Sequence, residues 1–303
     1  MNTIDQVQIN FNPDQLFILN ICLAFLMFGV ALDLRLDNFK EILRKPKGPT
    51  IGLISQWLLL PLMTICLVYF FNPPTSIALG MVLVAACPGG NVSNYAVHLS
   101  GANAALSVLL TSISTLAAIV ITPIYFTWLS QLVPGAEVYA ASIYVDPANM
   151  VNTIFQLILL PLFLGMFINT RFPKFANKMR GTVKALSMTI FLAFVVMAVF
   201  SNFSNIQKYL HLVFLLVLVH NGLALSMGFW FARANGLSIF DARAISIETG
   251  IQNSGLGLIL IFNFFGGLGG MAMVAAWWGI WHLISAFSLA MWWKQRSSPV
   301  LSS

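Results

Sequence analysis

The stretch Ile245-Ser246-Ile247-Glu248-Thr249-Gly250-Ile251-Gln252-Asn253-Ser254-Gly255 sets a carboxylate, two amides, three hydroxyls and two glycines among flanking residues that are otherwise apolar. The chain has nine Asp and Glu residues, and only Glu248 lies well inside a long hydrophobic span; the others fall in or beside connecting segments. A carboxylate at the centre of a bilayer costs ~2.5 kcal/mol or more, so it is a functional candidate by default.

Outward from that stretch, 59% of the 303 residues are hydrophobic and only 8% are charged. A soluble domain carries about 25% charged residues, and nothing here could cover a water-facing surface. The composition therefore gives an all-α integral membrane protein with one continuous hydrophobic body. A crossing helix needs about 20 apolar residues. On that measure the chain holds about nine spans, at about 16–33, 48–71, 75–99, 103–131, 147–170, 182–203, 209–234, 239–265 and 271–293. Turn-forming pairs separate them, among them Pro73-Pro74, Pro134-Gly135, Asp146-Pro147 and Gly266-Gly267.

The net charge of +6 raises a nucleic-acid reading, but the placement of the charges argues for topology instead. Arg35, Lys40, Arg44, Lys45 and Lys47 follow the first span; Arg171, Lys174, Lys178, Arg180 and Lys184 follow the fifth. Arg233 and Arg243 flank the connector after the seventh, and Lys294 and Arg296 follow the ninth. With nine spans all of these share one side, and only Lys208 lies opposite. The positive-inside rule then puts the 294–303 tail in the cytoplasm and the 1–15 segment outside. That first segment has no Lys, no Arg and no apolar core, so it does not read as a cleavable signal peptide. Cys22, Cys66 and Cys87 lie in apolar runs without metal-binding spacing and read as small core residues.

Two spans break the pattern of a plain apolar helix. In Cys87-Pro88-Gly89-Gly90-Asn91-Val92-Ser93-Asn94, the proline removes a backbone donor and the glycines weaken the helix, so the chain should unwind in mid-span. The second break is the Glu248 stretch. One interrupted span in each half, about 16–131 and 147–293, points to a transporter built on an inverted repeat with a midplane site.

The oxygens of Ser93, Asn94, Glu248, Thr249, Gln252 and Asn253 suit a hard cation, whereas zinc and copper favour nitrogen or sulfur. One carboxylate among neutral oxygens fits a monovalent ion better than a divalent one. Ser107 and Thr111 add an i, i+4 pair, and Gln56 a lone amide. Plainer roles stand beside these. Ser107 and Thr111 could bond their own helix, Gln56 could tie two helices, and Asn91 and Asn253 could cap half-helices. Glu248 could be a buried, protonated acid.

Cys87-Pro88-Gly89-Gly90-Asn91-Val92-Ser93-Asn94, then Ala105-Leu106-Ser107 and Thr111, then Glu248 to Gly255, resemble the bile acid:sodium symporter family over about residues 16–293. The resemblance implies a panel domain and a core domain, with two discontinuous helices crossing in the core. It also implies two sodium ions. Ser93, Asn94, Ser107, Thr111 and Glu248 would hold the first. Gln56, Glu248, Gln252 and the carbonyls of Thr249 and Ile251 would hold the second. It further implies the inner membrane of a bacterium. Where relatives carry Trp-His-Asn in the last helix, this chain reads Trp281-His282-Leu283.

No Lys or Arg lies in mid-span, so an organic anion would be held by the N–H groups of half-helix N-termini. Asn91, Asn253 and His282 are candidates for the substrate wall. The expected function is sodium-coupled import of an organic anion, bile-acid-like or a smaller carboxylate such as pantoate or a keto acid, with no enzyme activity. A proton-coupled carrier titrating Glu248 is the alternative. An intramembrane hydrolase using Ser93 and His98 is remote, because i, i+5 places the pair on different helix faces.

Overall fold

The structure is a computed structural model that describes residues 3–7, 13–32, 45–90, 92–139, 147–201 and 203–297. Among these residues it is helical, with no strand and one isolated bridge. Helix α1 (Pro13–Ala31) is followed by α2 (Lys47–Phe71), α3 (Thr75–Ala86), α4 (Val92–Leu99) and α5 (Ala104–Ser130). The second half holds α6 (Ala148–Arg171), α7 (Pro173–Ser201), α8 (Phe203–Ala234), α9 (Ile239–Gly250), α10 (Ser254–Phe264) and α11 (Gly269–Ser297).

Five described helices are long and apolar enough to cross a membrane: α2, α5, α6, the Gln207–Ala234 part of α8, and most of α11. Helices α3 and α10, at 12 and 11 residues, are apolar but too short to cross alone. Each ends or begins at one of the breaks expected from the sequence. Helix α3 stops at Ala86, where Cys87 turns extended (φ −72°, ψ 156°) ahead of Pro88, and α4 resumes at Val92. Helix α9 stops at Gly250 with Ile251 extended (φ −106°, ψ 107°), and Asn253 caps α10.

Helices α2 and α6 each contain a π-helical turn, at Ser55–Leu59 and Phe155–Leu159. The cause is local. Pro61 and Pro161 lack the N–H that would close a regular turn, and their rings crowd the carbonyl four residues back. The preceding residue slips to a longer bond instead: Leu60 N–H reaches Ser55 O, and Leu160 N–H reaches Phe155 O.

Two large apolar clusters bracket the polar centre. One joins α3, α10 and the first half of α11 through residues such as Met81, Leu260 and Trp278. The other joins α4, α9, the start of α5 and the end of α11 through Val97, Ile245, Leu110 and Trp293. Each half of a broken pair thus packs with the opposite half of the other pair. Helix α1 packs mainly on α6 and α7, and α8 mainly on α9. That last contact is close: a Cβ on Gly228 would sit 3.0 Å from the carbonyl oxygen of Ile245.

Candidate cation site

The two breaks meet. Gly90 N–H donates to Ile251 O at 3.0 Å and Asn253 N–H donates to Pro88 O at 2.8 Å, an antiparallel bridge centred on Gly89 and Gln252. Backbone freed from both helices is thereby satisfied by the other break, which is what burial requires. Gly89 N–H donates to Ser114 Oγ at 3.2 Å. A side chain at Gly89 would not fit, since its Cβ would lie 2.8 Å from Gln56 Nε2 and 3.0 Å from Glu248 Oε2.

Glu248 is 1% exposed and sits in the last turn of α9. Its Oε1 accepts from Ser93 Oγ of α4 and from Ser107 Oγ of α5. Thr111 Oγ1 of α5 lies 3.0 and 2.9 Å from the two carboxylate oxygens. Asn94 Oδ1 accepts from Ser107 Oγ at 2.8 Å and approaches Thr111 Oγ1 at 3.3 Å. Ser93 Oγ and Thr111 Oγ1 are 3.3 Å apart. Ser93, Asn94, Ser107, Thr111 and Glu248 therefore converge on one point. Their three hydroxyl hydrogens are fewer than the oxygen–oxygen contacts they make, so lone pairs face lone pairs.

A second group lies on the other side of Glu248. Gln56, buried in the π turn of α2, donates from Nε2 to Glu248 O at 3.2 Å. Gln252 donates from Nε2 to Thr249 O at 2.9 Å. Both side-chain oxygens, Gln56 Oε1 and Gln252 Oε1, are buried without a hydrogen-bond partner. An orphaned buried acceptor costs about 1–3 kcal/mol, and a cation relieves it. Thr249 Oγ1 lies 2.8 Å from Ser55 Oγ, and Ile251 O already accepts from Gly90 N–H with one lone pair to spare.

The electrostatics point the same way. The C-terminal end of a helix carries about half a negative charge, and Glu248 adds a carboxylate at that end of α9. Among the described residues no Lys or Arg pairs with it. The oxygens present, with one carboxylate and no sulfur or imidazole, fit a monovalent hard cation.

The substrate-wall candidates separate. Asn253 Oδ1 accepts from Leu256 N at 3.0 Å and so caps α10. His282 of α11 is 5% exposed, with Nδ1 unpartnered. Asn91 lies outside the described residues. Ser55 and Ser114 were not among the residues expected from the sequence. Ser114 had a signal, since 107, 111 and 114 share one face of α5.

The sequence matches the Sodium Bile acid symporter family over residues 20–209. The chain belongs to the sodium bile acid symporter family. It is 34% identical over 279 residues to YocS of Bacillus subtilis (strain 168), an uncharacterized sodium-dependent transporter, covering 92% of this chain and 83% of that one. It is 30% identical to the probable chloroplastic sodium/metabolite cotransporter BASS2 of Oryza sativa subsp. japonica, covering 91% and 64% of the two chains. The Arabidopsis thaliana relative BASS1, named likewise, is 31% identical, with coverage of 91% and 66%. The chain thus spans just under two thirds of these chloroplastic relatives. Members of the symporter family are sodium-dependent membrane transporters, not enzymes.

Proposed function

We propose that this protein is a symporter that carries a small organic anion into a bacterial cell across the inner membrane, coupled to two sodium ions, by alternating access. The observation that carries the reading is Glu248: an uncompensated carboxylate at the negative end of α9, among more oxygens than its neighbours' hydrogens can serve. Ser93, Asn94, Ser107, Thr111 and Glu248 take one sodium. Gln56, Glu248, Gln252 and the carbonyls of Thr249 and Ile251 take the other.

In this reading α3 with α4, and α9 with α10, are two broken crossings in a nine-span bundle, each half-chain supplying one. They form a core with α2, α5, α8 and α11, while α1, α6 and α7 form the panel. The N-terminus lies outside and the C-terminus in the cytoplasm, with the basic connectors. The anion binds beside the bridge, where α4 and α10 begin and their N-terminal N–H groups favour negative charge; Asn253 and His282 border it. Charge gives the coupling a physical basis. Two sodium ions offset Glu248 and a monovalent anion, so the loaded core is neutral. The partly loaded core keeps a net charge that is costly in a low-dielectric interior.

Names of relatives refer to metabolites without saying which, and a carboxylate without a fixed basic partner is the class this site suits. The test is uptake of labelled carboxylates into proteoliposomes under a sodium gradient or a pH gradient alone. Sodium-driven accumulation supports the proposal. Accumulation driven by the pH gradient in the absence of sodium would replace it with a proton carrier.

A further inference from the structure

A helix leaves its last carbonyls without partners inside the helix. The final three of α9 are each taken by a side-chain amide. Glu248 O accepts from Gln56, Thr249 O from Gln252, and Gly250 O from Asn221 Nδ2 at 2.7 Å. The first two amides belong to the cation site already described. Asn221 lies on α8, is 1% exposed, and has no role in that site. Its other end is also occupied: Ser285 Oγ of α11 donates to Asn221 Oδ1 at 2.6 Å. Asn221 therefore has a fixed orientation, since its oxygen takes the Ser285 hydrogen and its NH2 faces Gly250. The fit around Gly250 is tight, because a Cβ there would come within 2.4 Å of Leu225 Cδ2 of α8.

We propose that Asn221, oriented by Ser285, is a positioning residue for the sodium sites: it fixes the end of α9 so that Thr249, Ile251 and Gln252 turn toward the ion. It touches neither ion nor substrate. Its bond holds the carbonyl next to the break, at the point where the chain leaves the helix. Without it, Gly250 O is a buried orphan beside the negative helix end. The terminal turn relieves that by shifting, which moves Thr249 O and Ile251 O together. The proposal rests on the sodium-site reading above.

The experiment titrates sodium against the full-length protein in detergent and follows the thermal midpoint. Asn221→Ala should weaken half-saturation by sodium about tenfold. Asn221→Asp, which keeps the shape but loses the NH2 donor, should match the alanine variant. Ser285→Ala removes the orienting bond, along with a longer 3.2 Å contact to His282 O on its own helix, and should cost about threefold; it provides the test if Asn221→Ala does not fold. A lower midpoint with an unchanged sodium half-saturation would show a merely structural bond and overturn the proposal. So would Asn221→Asp behaving as wild type. If the wild type itself does not respond to sodium, the underlying sodium reading falls, and this proposal falls with it.

Discussion

Helices α2 and α6 carry nearly the same local sequence and the same local backbone, yet one faces the site and the other does not. Ile54, Gln56, Leu59, Leu60, Pro61 and Leu62 recur as Ile154, Gln156, Leu159, Leu160, Pro161 and Leu162. Both prolines open a π turn just upstream. Gln56 is 1% exposed, donates to Glu248 O, and keeps a buried oxygen with no partner. Gln156 is exposed and donates to Asn152 on its own helix at 3.3 Å. The motif dictates the widened turn. Packing decides whether the glutamine in it can serve an ion, because α2 lies against α9 whereas α6 lies against α1. π turns are common at functional sites, but this pair shows that the turn alone is not a site.

The contrast can be broken in four ways, of decreasing effect. Glu248→Ala removes the carboxylate shared by both proposed sites. Sodium-driven uptake in proteoliposomes should fall roughly a hundredfold or more, in line with the several kcal/mol at stake for a buried charge and its partner. Gln56→Ala should weaken sodium about tenfold and lower the steepness of the sodium titration of uptake, because one of two ions is lost. An unchanged steepness would remove Gln56 from the second site. Pro61→Ala lets α2 return to a regular turn, which swings Ser55 and Gln56 around the helix. Sodium half-saturation should rise several-fold, roughly 1 kcal/mol, while Pro161→Ala leaves it unchanged. The smallest effect is expected from Gln156→Ala, within about 0.5 kcal/mol in stability and none in sodium affinity. A loss of sodium response there would mean that α6 contributes to the site.

Much of the site was legible in the sequence because its residues are anomalies. Glu248 is expensive where it stands, and Pro88 with Gly89 and Gly90 cannot continue a helix. Less legible were residues whose types are ordinary in membrane helices. Ser112 and Ser226 return their hydroxyls to the carbonyl four residues back, at 2.5 and 2.8 Å. Ser114, two residues from Ser112, also donates to its own helix, to Thr111 O at 3.2 Å, but its oxygen in addition receives Gly89 N–H at the break. Composition cannot separate those fates. Asn253 was expected on the substrate wall or as a cap. Its Oδ1 is engaged as a cap, and Asn103 does the same for α5, each accepting at 3.0 Å from the N–H three residues on.

By itself the sequence determined a helical membrane body, the two breaks, and a lone carboxylate amid neutral oxygens. These follow from covalent and solvation properties that each residue carries anywhere: a missing N–H, a missing Cβ, the cost of charge in hydrocarbon. The tertiary structure alone decided that Ser93 and Glu248, 155 residues apart, share a hydrogen bond. It also decided that the two breaks bridge each other, and that Gln56 rather than Gln156 turns inward. Those outcomes depend on which helix faces meet, and a ligand set exists only where several chain segments put lone pairs at one point.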